Sequence, residues 1–202
     1  MLWLAAHPLI LASRSQVRRA LLDAAGIPTQ TILPDVDERA VEARAGPLGP
    51  SEAALLLARE KARSIAAPNS GQYVLGADQT LALEDRRFTK PSGIEAARVQ
   101  LRALSGRTHE LCSAVAVAKD GQVIFSHCEV ARMTMRPLLS ERFLDAYVAS
   151  AGSAVTTSVG AYQLEKLGIH LFERIEGDHF TILGLPMIHL LAFFRREGCL
   201  AA

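Results

Sequence analysis

The stretch LILASRSQVRRALL (residues 9–22) decides the fold expected for this chain. Its first four residues, Leu9–Ala12, are all apolar, which is typical of a buried strand. Ser13 and Ser15 follow, and their hydroxyls are suited to capping the start of a helix. Apolar residues then recur at the spacing of a helix face: Val17, Ala20, Leu21 and Ala24. The stretch therefore predicts a strand, a hydroxyl-rich loop and a helix in direct succession.

Strands and helices alternate along the rest of the chain. Further strands are predicted at residues 29–33, 73–77, 108–118, 122–135 and 169–175, with an Asp-Gly turn joining 108–118 to 122–135 as a hairpin. Helices are predicted at residues 51–66, 94–104, 140–149 and 186–198, and a loop at 151–158. This order favours an α/β fold with a mixed twisted sheet flanked by helices. A single domain over residues 1–202 is expected.

Composition excludes several classes of partner. The 202-residue chain has a net charge of +1, whereas nucleic acids and anionic membranes usually recruit a basic excess. Neither partner is expected, and no apolar run is long enough to span a membrane. The apolar start lacks a basic region and contains Pro8, so it is interpreted as a lead-in to the first strand rather than a signal peptide. Three cysteines without a Cys-x-x-Cys pair fit a reducing compartment, hence a cytoplasmic protein.

The loop between the first strand and the first helix is a candidate anion site. Backbone N–H groups and the dipole of a helix N-terminus favour an anion. Arg14, Arg18 and Arg19 add positive charge nearby. The alternative is an ordinary serine N-cap beside solvated arginines.

Asp78 is a second candidate, because it directly follows the predicted strand at residues 73–77. Ligands of open α/β sheets bind at the carboxyl ends of strands, and a partly desolvated carboxylate there is costly unless it is used. Gly76 leaves space beside this acid for another group to approach. The alternative is that Asp78 caps a turn.

Two lysines and one acidic pair complete the candidates. Lys61 shares a helix face with apolar residues, so it either points into a cleft or places its amine in water. Lys90 by itself is a surface lysine. Asp37 and Glu38 can hold Mg²⁺ through oxygen ligands or form a solvated turn. The six histidines show no metal-ligand spacing and are expected to be surface residues or hydrogen-bonded.

Together, these segments resemble the Maf family of nucleoside triphosphate pyrophosphatases. The resemblance runs from about residue 9 to 198 in family order, through LASRSQVRRALL (11–22), REKA (59–62), LGADQ (75–79), KP (90–91), LSGRTH (104–109), GAY (160–162), IEGD (175–178) and LGLP (183–186). It implies two lobes around a central cleft, a divalent metal (Mg²⁺ or Mn²⁺), and cleavage of a nucleoside triphosphate into a monophosphate and pyrophosphate.

The resemblance also implies a role for each candidate. Asp78 matches the general base and, with Glu38, a metal ligand. The residues that match phosphate-binding positions are Ser13, Ser15, Arg18, Lys61 and Lys90.

Three residues that depart from the common family pattern are candidates for selecting the nucleotide base. Val17 stands where an arginine is usual, Gln79 replaces a threonine, and Glu165 lies in an altered segment. These features resemble the branch that acts on 7-methyl-GTP more than the dTTP/UTP branch. Glu165 is expected to be a buried carboxylate that accepts hydrogen bonds from a guanine-type base; the alternative is a solvated loop residue and broad selectivity.

The resulting hypothesis is an enzyme that hydrolyses nucleoside triphosphates and removes modified nucleotides, with 7-methyl-GTP as a candidate substrate. The alternatives are a dTTP/UTP-preferring pyrophosphatase and a non-catalytic nucleotide-binding regulator of cell division. A structured-RNA binder fits poorly with the near-neutral charge. The expected partner is a nucleoside triphosphate, and a homodimer stays open.

Overall fold

The computed structural model describes residues 2–137 and 140–201. Its strands are β1 (Leu9–Ala12), β2 (Thr29–Thr31), β3 (Val74–Leu83), β4 (Arg86–Phe88), β5 (Thr108–Lys119), β6 (Gln122–Met135) and β7 (Phe172–Glu176). Its α-helices are α1 (Gln16–Ala24), α2 (Glu38–Ala45), α3 (Pro50–Ala66), α4 (Ile94–Leu104), α5 (Glu141–Ala151), α6 (Ala154–Thr157), α7 (His179–Ile182) and α8 (Met187–Arg196). Short 3₁₀ helices lie at Val159–Ala161 and Leu167–Leu171.

The strands of the described chain form a seven-stranded mixed sheet. Their hydrogen-bonded order is β2-β1-β3-β5-β6-β7, and β4 pairs with β3. Strand β1 runs parallel to β2 and β3, whereas β4 is antiparallel to β3 and β7 is antiparallel to β6. The prediction of a mixed α/β sheet with flanking helices is therefore confirmed.

The chain divides into two compact units. The first unit comprises Met1–Gln79, Ser113–Glu129 and His179–Ala202, and the second unit comprises Thr80–Cys112 and Val130–Asp178. Both the single domain over residues 1–202 and the cleft between two lobes stay predictions.

The first unit has apolar layers on both faces of its strands, because successive side chains of a strand point to opposite sides. Leu9 and Leu11 of β1 belong to a buried cluster that includes residues of α1 and α8, whereas Ile10 and Ala12 belong to a cluster with α3. Strand β1 is consequently buried along its whole length. Its carboxyl end is the point from which the loop and α1 extend.

The second unit is built around α4, whose apolar residues recur at helical spacing. Ala97, Leu101 and Leu104 are fully buried. On the exposed side, the Arg102 guanidinium donates two hydrogen bonds, of 2.8 and 2.7 Å, to the Glu141 carboxylate at the start of α5. Charged pairs thus accompany apolar packing between these two helices.

Several predicted elements need correction. Residues 151–158, expected as a loop, contain α6, and the strand expected from residue 169 begins only at Phe172, after a 3₁₀ helix. Helix α7 was not predicted, because its four residues are too few for a clear apolar period. Strand β3 continues to Leu83, so Asp78 lies within a strand rather than after one. The predicted hairpin turn is present, with positive φ at Asp120 and Gly121.

Candidate active site

The loop after β1 places two serine hydroxyls at the start of α1. Ser15 is the N-cap, and its Oγ accepts from the backbone N–H of Arg18 at 3.3 Å. The Oγ of the buried Ser13 accepts from the backbone N–H of Ser15 at 3.2 Å. The ordinary N-cap is thus present. The same geometry places both hydroxyls at the N-terminus of a nine-residue helix, where an anion is favoured.

Arg18 is held by three oxygen atoms of the first unit, two of which lie far away along the chain. Its Nη1 donates to the backbone carbonyl of Ala77 at 2.8 Å and to the Ser13 Oγ at 3.2 Å. Its Nε donates to the backbone carbonyl of Gly184 at 2.8 Å. Arg18 is therefore a fixed cation beside the loop rather than a solvated arginine.

Lys61 joins two carboxylates. Its Nζ lies 2.5 Å from Oδ1 of Asp78 and 2.7 Å from Oε1 of Glu38. The side chains of Lys61 and Asp78 are only 12% and 14% exposed, whereas that of Glu38 is 51% exposed. Lys61 therefore does not extend its amine into open water, and three residues predicted from sequence meet at one point.

A close approach between α3 and β3 produces this meeting. A Cβ atom on Gly76 would lie 2.2 Å from the carbonyl oxygen of Ala58 and 2.6 Å from the backbone nitrogen of Ala62. Only a residue without a side chain lets the helix backbone lie this close to the strand. Since Asp78 is two residues after Gly76 and Lys61 adjoins Ala62, the contact places their side chains together.

Burial and charge act in opposite directions on the pKa of Asp78. Burial raises the pKa of this carboxyl above its ordinary value, while the Lys61 ammonium and the Arg18 guanidinium oppose the rise and the Glu38 carboxylate adds to it. Burial also lowers the pKa of Arg18, against the attraction of Asp78 and Glu38. Arg18 nevertheless stays charged, because a guanidinium loses its proton only at very high pH.

The donor set suits a hard divalent cation. Asp78 and Glu38 each direct one carboxylate oxygen at the same Lys61 ammonium, and carboxylate oxygens are the ligands that Mg²⁺ prefers. The two acids therefore already converge on one positive charge.

Two of the residues predicted to select the base lie in the first unit. Val17 is half-buried on α1. The Gln79 side-chain nitrogen donates to the Ser113 Oγ at 2.8 Å and to the carbonyls of Ile182 at 3.0 Å and Thr181 at 3.3 Å. A side-chain amide has only two N–H donors, so the protein engages both. The amide carbonyl is then the Gln79 group suited to contact a ligand.

Two predicted site residues lie in the second unit: Lys90, expected to bind phosphate, and Glu165, expected to select the base. Lys90 is exposed between β4 and α4. Glu165 is exposed in a turn between Gln163 and Lys166, which line a cavity of about 240 Å³ in this unit. The expectation of a buried Glu165 carboxylate was therefore wrong, because this position of the turn is exposed to solvent.

Sequence reasoning missed the groups that hold Arg18 and Gln79 in place. Two of them, on Ala77 and Gly184, are backbone carbonyls, which carry no residue-type signal. Ser113 gave no signal either, because it is one polar residue within an apolar strand. Its Oγ donates to the Thr181 carbonyl at 2.7 Å and completes the contacts around Gln79.

An α/β protein with a helix N-terminus, a partly buried aspartate and a fixed lysine and arginine has the groups needed to bind a phosphorylated ligand. Residues 8–197 match the family model described as Maf-like protein. The chain belongs to this family.

Relatives resemble the chain over nearly its whole length. A protein of Bradyrhizobium diazoefficiens named "Nucleoside triphosphate pyrophosphatase" is 58% identical over 200 residues, covering 99% of this chain and 98% of the relative. A protein of Brucella abortus named "7-methyl-GTP pyrophosphatase" is 50% identical over 194 residues, covering 95% and 97%. A solved nucleoside-triphosphatase from Mycobacterium abscessus is 16% identical, covers 64% of this chain and 73% of its own, and has a TM-score of 0.38, too low to support a fold assignment.

No helix within residues 2–137 and 140–201 has both the length and the apolar character needed to cross a membrane.

Proposed function

We infer that this protein is a nucleoside triphosphate pyrophosphatase, which uses water to convert a nucleoside triphosphate into a nucleoside monophosphate and pyrophosphate. The observation that carries this conclusion is the partly buried Lys61–Asp78 pair with Glu38 in a chain of the Maf-like family. Curated relatives at 50–58% identity are named as pyrophosphatases of this kind. The protein is therefore a hydrolase acting on a phosphoric anhydride.

Asp78 is proposed as the general base. A carboxylate must be within hydrogen-bonding reach of the attacking water and have a pKa close enough to the working pH to take its proton. Burial raises the pKa of Asp78 and so strengthens it as a base. Ion pairing with Lys61 keeps the carboxylate charged and oriented before substrate arrives.

The cations are proposed to neutralise the triphosphate. Phosphoryl transfer depends mainly on positioning and on stabilising negative charge. Arg18, fixed by three oxygen atoms, presents a preorganised charge beside Ser13 and Ser15. Lys61 would exchange one of its carboxylate partners for a phosphate oxygen, and Lys90 is proposed as a further phosphate-binding cation.

Glu38 and Asp78 are proposed to hold a divalent cation, Mg²⁺ or Mn²⁺. Such an ion supplies charge neutralisation for the phosphates when bound. The two carboxylates fit it through their oxygen chemistry and their convergence on one charge.

A guanine-type base, 7-methylguanine included, is the proposed preference. Guanine offers N1–H and an exocyclic amine as adjacent donors. The Gln79 side-chain carbonyl is a suitable acceptor, because the N–H groups of the same amide already donate to protein oxygen atoms. Glu165 is proposed as a second acceptor. The Brucella abortus relative, named for 7-methyl-GTP, supports this preference.

We place the enzyme in the cytoplasm, acting on free nucleotides and not on nucleic acid or membranes, and leave a homodimer as an open proposal. The expected biological role is to remove modified nucleotides. A non-catalytic regulator of cell division is less well supported, because the charged pair suited to chemistry is intact.

Pyrophosphate release tests the proposal. Purified protein is incubated with Mg²⁺ or Mn²⁺ and a panel of GTP, 7-methyl-GTP, UTP, dTTP and other triphosphates, and monophosphate and pyrophosphate are quantified together. Equal amounts of both products support the proposed reaction. Release of inorganic phosphate alone, or no turnover of any nucleotide, would contradict it.

A further inference from the structure

A second cluster of metal-ligating side chains lies in the first unit, on β6 and α8. His127 and Glu129 are two residues apart on β6 and so project from the same face of the strand. His189 lies on α8. The rings of Phe125 and Phe193 stack with centroids 4.6 Å apart and hold β6 against α8. Phe125 lies on the same face of β6 as His127, and Phe193 lies on the same face of α8 as His189.

The three side chains are close enough to share one ion. One ligand atom from each lies within 4.8 Å of the others. The rings of His127 and His189 stack with centroids 3.8 Å apart, and Nδ1 of His189 is 3.9 Å from Oε2 of Glu129. The Thr181 hydroxyl donates to the same Glu129 oxygen at 3.1 Å, which orients the carboxylate as an outer contact of a metal site would.

Two ring nitrogens at this cluster are unpartnered. Nε2 of His127 and Nδ1 of His189 are buried atoms without a hydrogen-bond partner in the structure, and a buried polar atom in that state is costly. His189 is a partly exposed residue, as expected for a surface histidine, but neither of these two ring nitrogens is hydrogen-bonded. The cluster still has a route to solvent, because the side chains of His189 and Glu129 are 40% and 32% exposed.

We propose that His127, Glu129 and His189 form a binding site for one divalent transition-metal ion, with Zn²⁺ as the favoured occupant. Two imidazoles and one carboxylate are a common zinc donor set, and imidazole favours Zn²⁺, Co²⁺ or Ni²⁺ over Mg²⁺ or Ca²⁺. This site is separate in residues and in donor chemistry from the Asp78 and Glu38 carboxylates.

Binding requires a small rearrangement. The two imidazole planes are within 10° of parallel, so their in-plane lone pairs are not directed at a common point. One ring must turn about its Cβ–Cγ bond, which replaces the stacking contact by two metal–nitrogen bonds. The ion then links β6 to α8, so the bound protein is more resistant to unfolding.

The test measures metal binding by the full chain after chelator treatment. Titration with Zn²⁺ by calorimetry, and with Co²⁺ by visible absorption, should show one site with a four- or five-coordinate Co²⁺ spectrum and a rise in Tm. His127→Gln and Glu129→Gln should each weaken affinity at least about tenfold, whereas His170→Gln, at an exposed histidine of the second unit, should not. Circular dichroism verifies that each variant is folded.

A second comparison separates this site from the active site. Asp78→Asn should keep the Zn²⁺ site. Loss of Zn²⁺ binding in Asp78→Asn with full binding in His127→Gln would overturn the proposal, as would a wild-type protein that binds no Zn²⁺ or Co²⁺ at micromolar concentrations.

Discussion

Gly76 on β3 lies so close to Ala58 on α3 that a Cβ atom on the glycine would be 2.2 Å from the alanine carbonyl oxygen. Helix α3 carries Lys61, and β3 carries Asp78. The absence of one side chain therefore sets the distance between the lysine and its acid. Backbone cannot move aside as a flexible side chain can, so this contact is sensitive to substitution.

Gly76→Ala is expected to lower the free energy of unfolding by about 1–3 kcal/mol or more, because the methyl group must displace α3. Turnover by the folded fraction should fall as well, since Lys61 moves with the helix. Denaturant unfolding and activity per folded molecule measure both effects. Gly93→Ala is the matched control, because nothing lies within 4 Å of its added Cβ. Equal stability of the two variants would contradict the role of the close approach.

Asp78→Asn is expected to reduce turnover by roughly 10²–10⁴-fold, because the amide keeps the shape but cannot accept the proton of water. Nucleotide binding, measured by calorimetry, should be largely retained. Asp35→Asn, at an exposed acid, serves as the control. Near-normal turnover in Asp78→Asn would remove Asp78 from the catalytic assignment.

The acid side of the pH–activity profile should report Asp78. Burial raises its pKa above the ordinary 3.8, so kcat/KM should decline at a pH higher than that value. Because the Lys61 ammonium opposes the rise, Lys61→Met should shift the acid limb to still higher pH and lower the maximum. Lys119→Met is the control at another lysine of the first unit. An acid limb that stays in place in Lys61→Met would show that Asp78 does not govern it.

His109 should make folding stability depend on pH. Burial lowers its pKa to about 4 in the folded protein, against 6.5 for an unperturbed histidine, and its Nε2 is 2.7 Å from the Tyr162 hydroxyl. The unfolded chain therefore binds a proton more readily than the folded one. The neutral His109 ring makes its full contribution to the free energy of unfolding above pH 6.5. This contribution is lost as the pH falls towards about 4, at ~1.4 kcal/mol per pH unit.

Denaturant unfolding at pH 7.5, 6, 5 and 4.5 measures that loss. His109→Gln should flatten the dependence, whereas His170→Gln, at an exposed histidine, should leave the wild-type slope. A slope unchanged in His109→Gln would assign the pH dependence to other groups.

Glu165→Gln is expected to reduce the preference for a guanine-type nucleotide over UTP by about tenfold, which corresponds to ~1.4 kcal/mol. The physical reason is the loss of a charged acceptor for the two guanine donors. The ratio of kcat/KM for 7-methyl-GTP and UTP measures it. Because Glu165 is exposed rather than buried, water can satisfy its carboxylate when a pyrimidine binds, which limits the effect. Equal kcat/KM values for both nucleotides in the wild type would reject the preference and leave the hydrolase assignment in place.

Local pattern in the sequence was sufficient for much of this protein. Four apolar residues followed by serines and a helical period predicted β1, the loop and α1, and Asp-Gly predicted the turn between β5 and β6. Ordered motifs identified the family and each candidate residue of the active site. The predicted strands, helix and turn depend on neighbours within a few positions, which is the range over which backbone preference and side-chain period act.

Only the tertiary structure decided which candidates meet and what holds them. The Arg18 guanidinium donates hydrogen bonds to the backbone carbonyls of Ala77 and Gly184, which lie 59 and 166 positions further along the chain. Because every residue type has a backbone carbonyl, the sequence does not mark these partners. The tertiary structure likewise placed Glu165 in solvent and brought His189 against His127 of β6. Contacts of this range follow from how helices pack on the sheet. A single sequence records that packing only as apolar faces, which do not specify their partners.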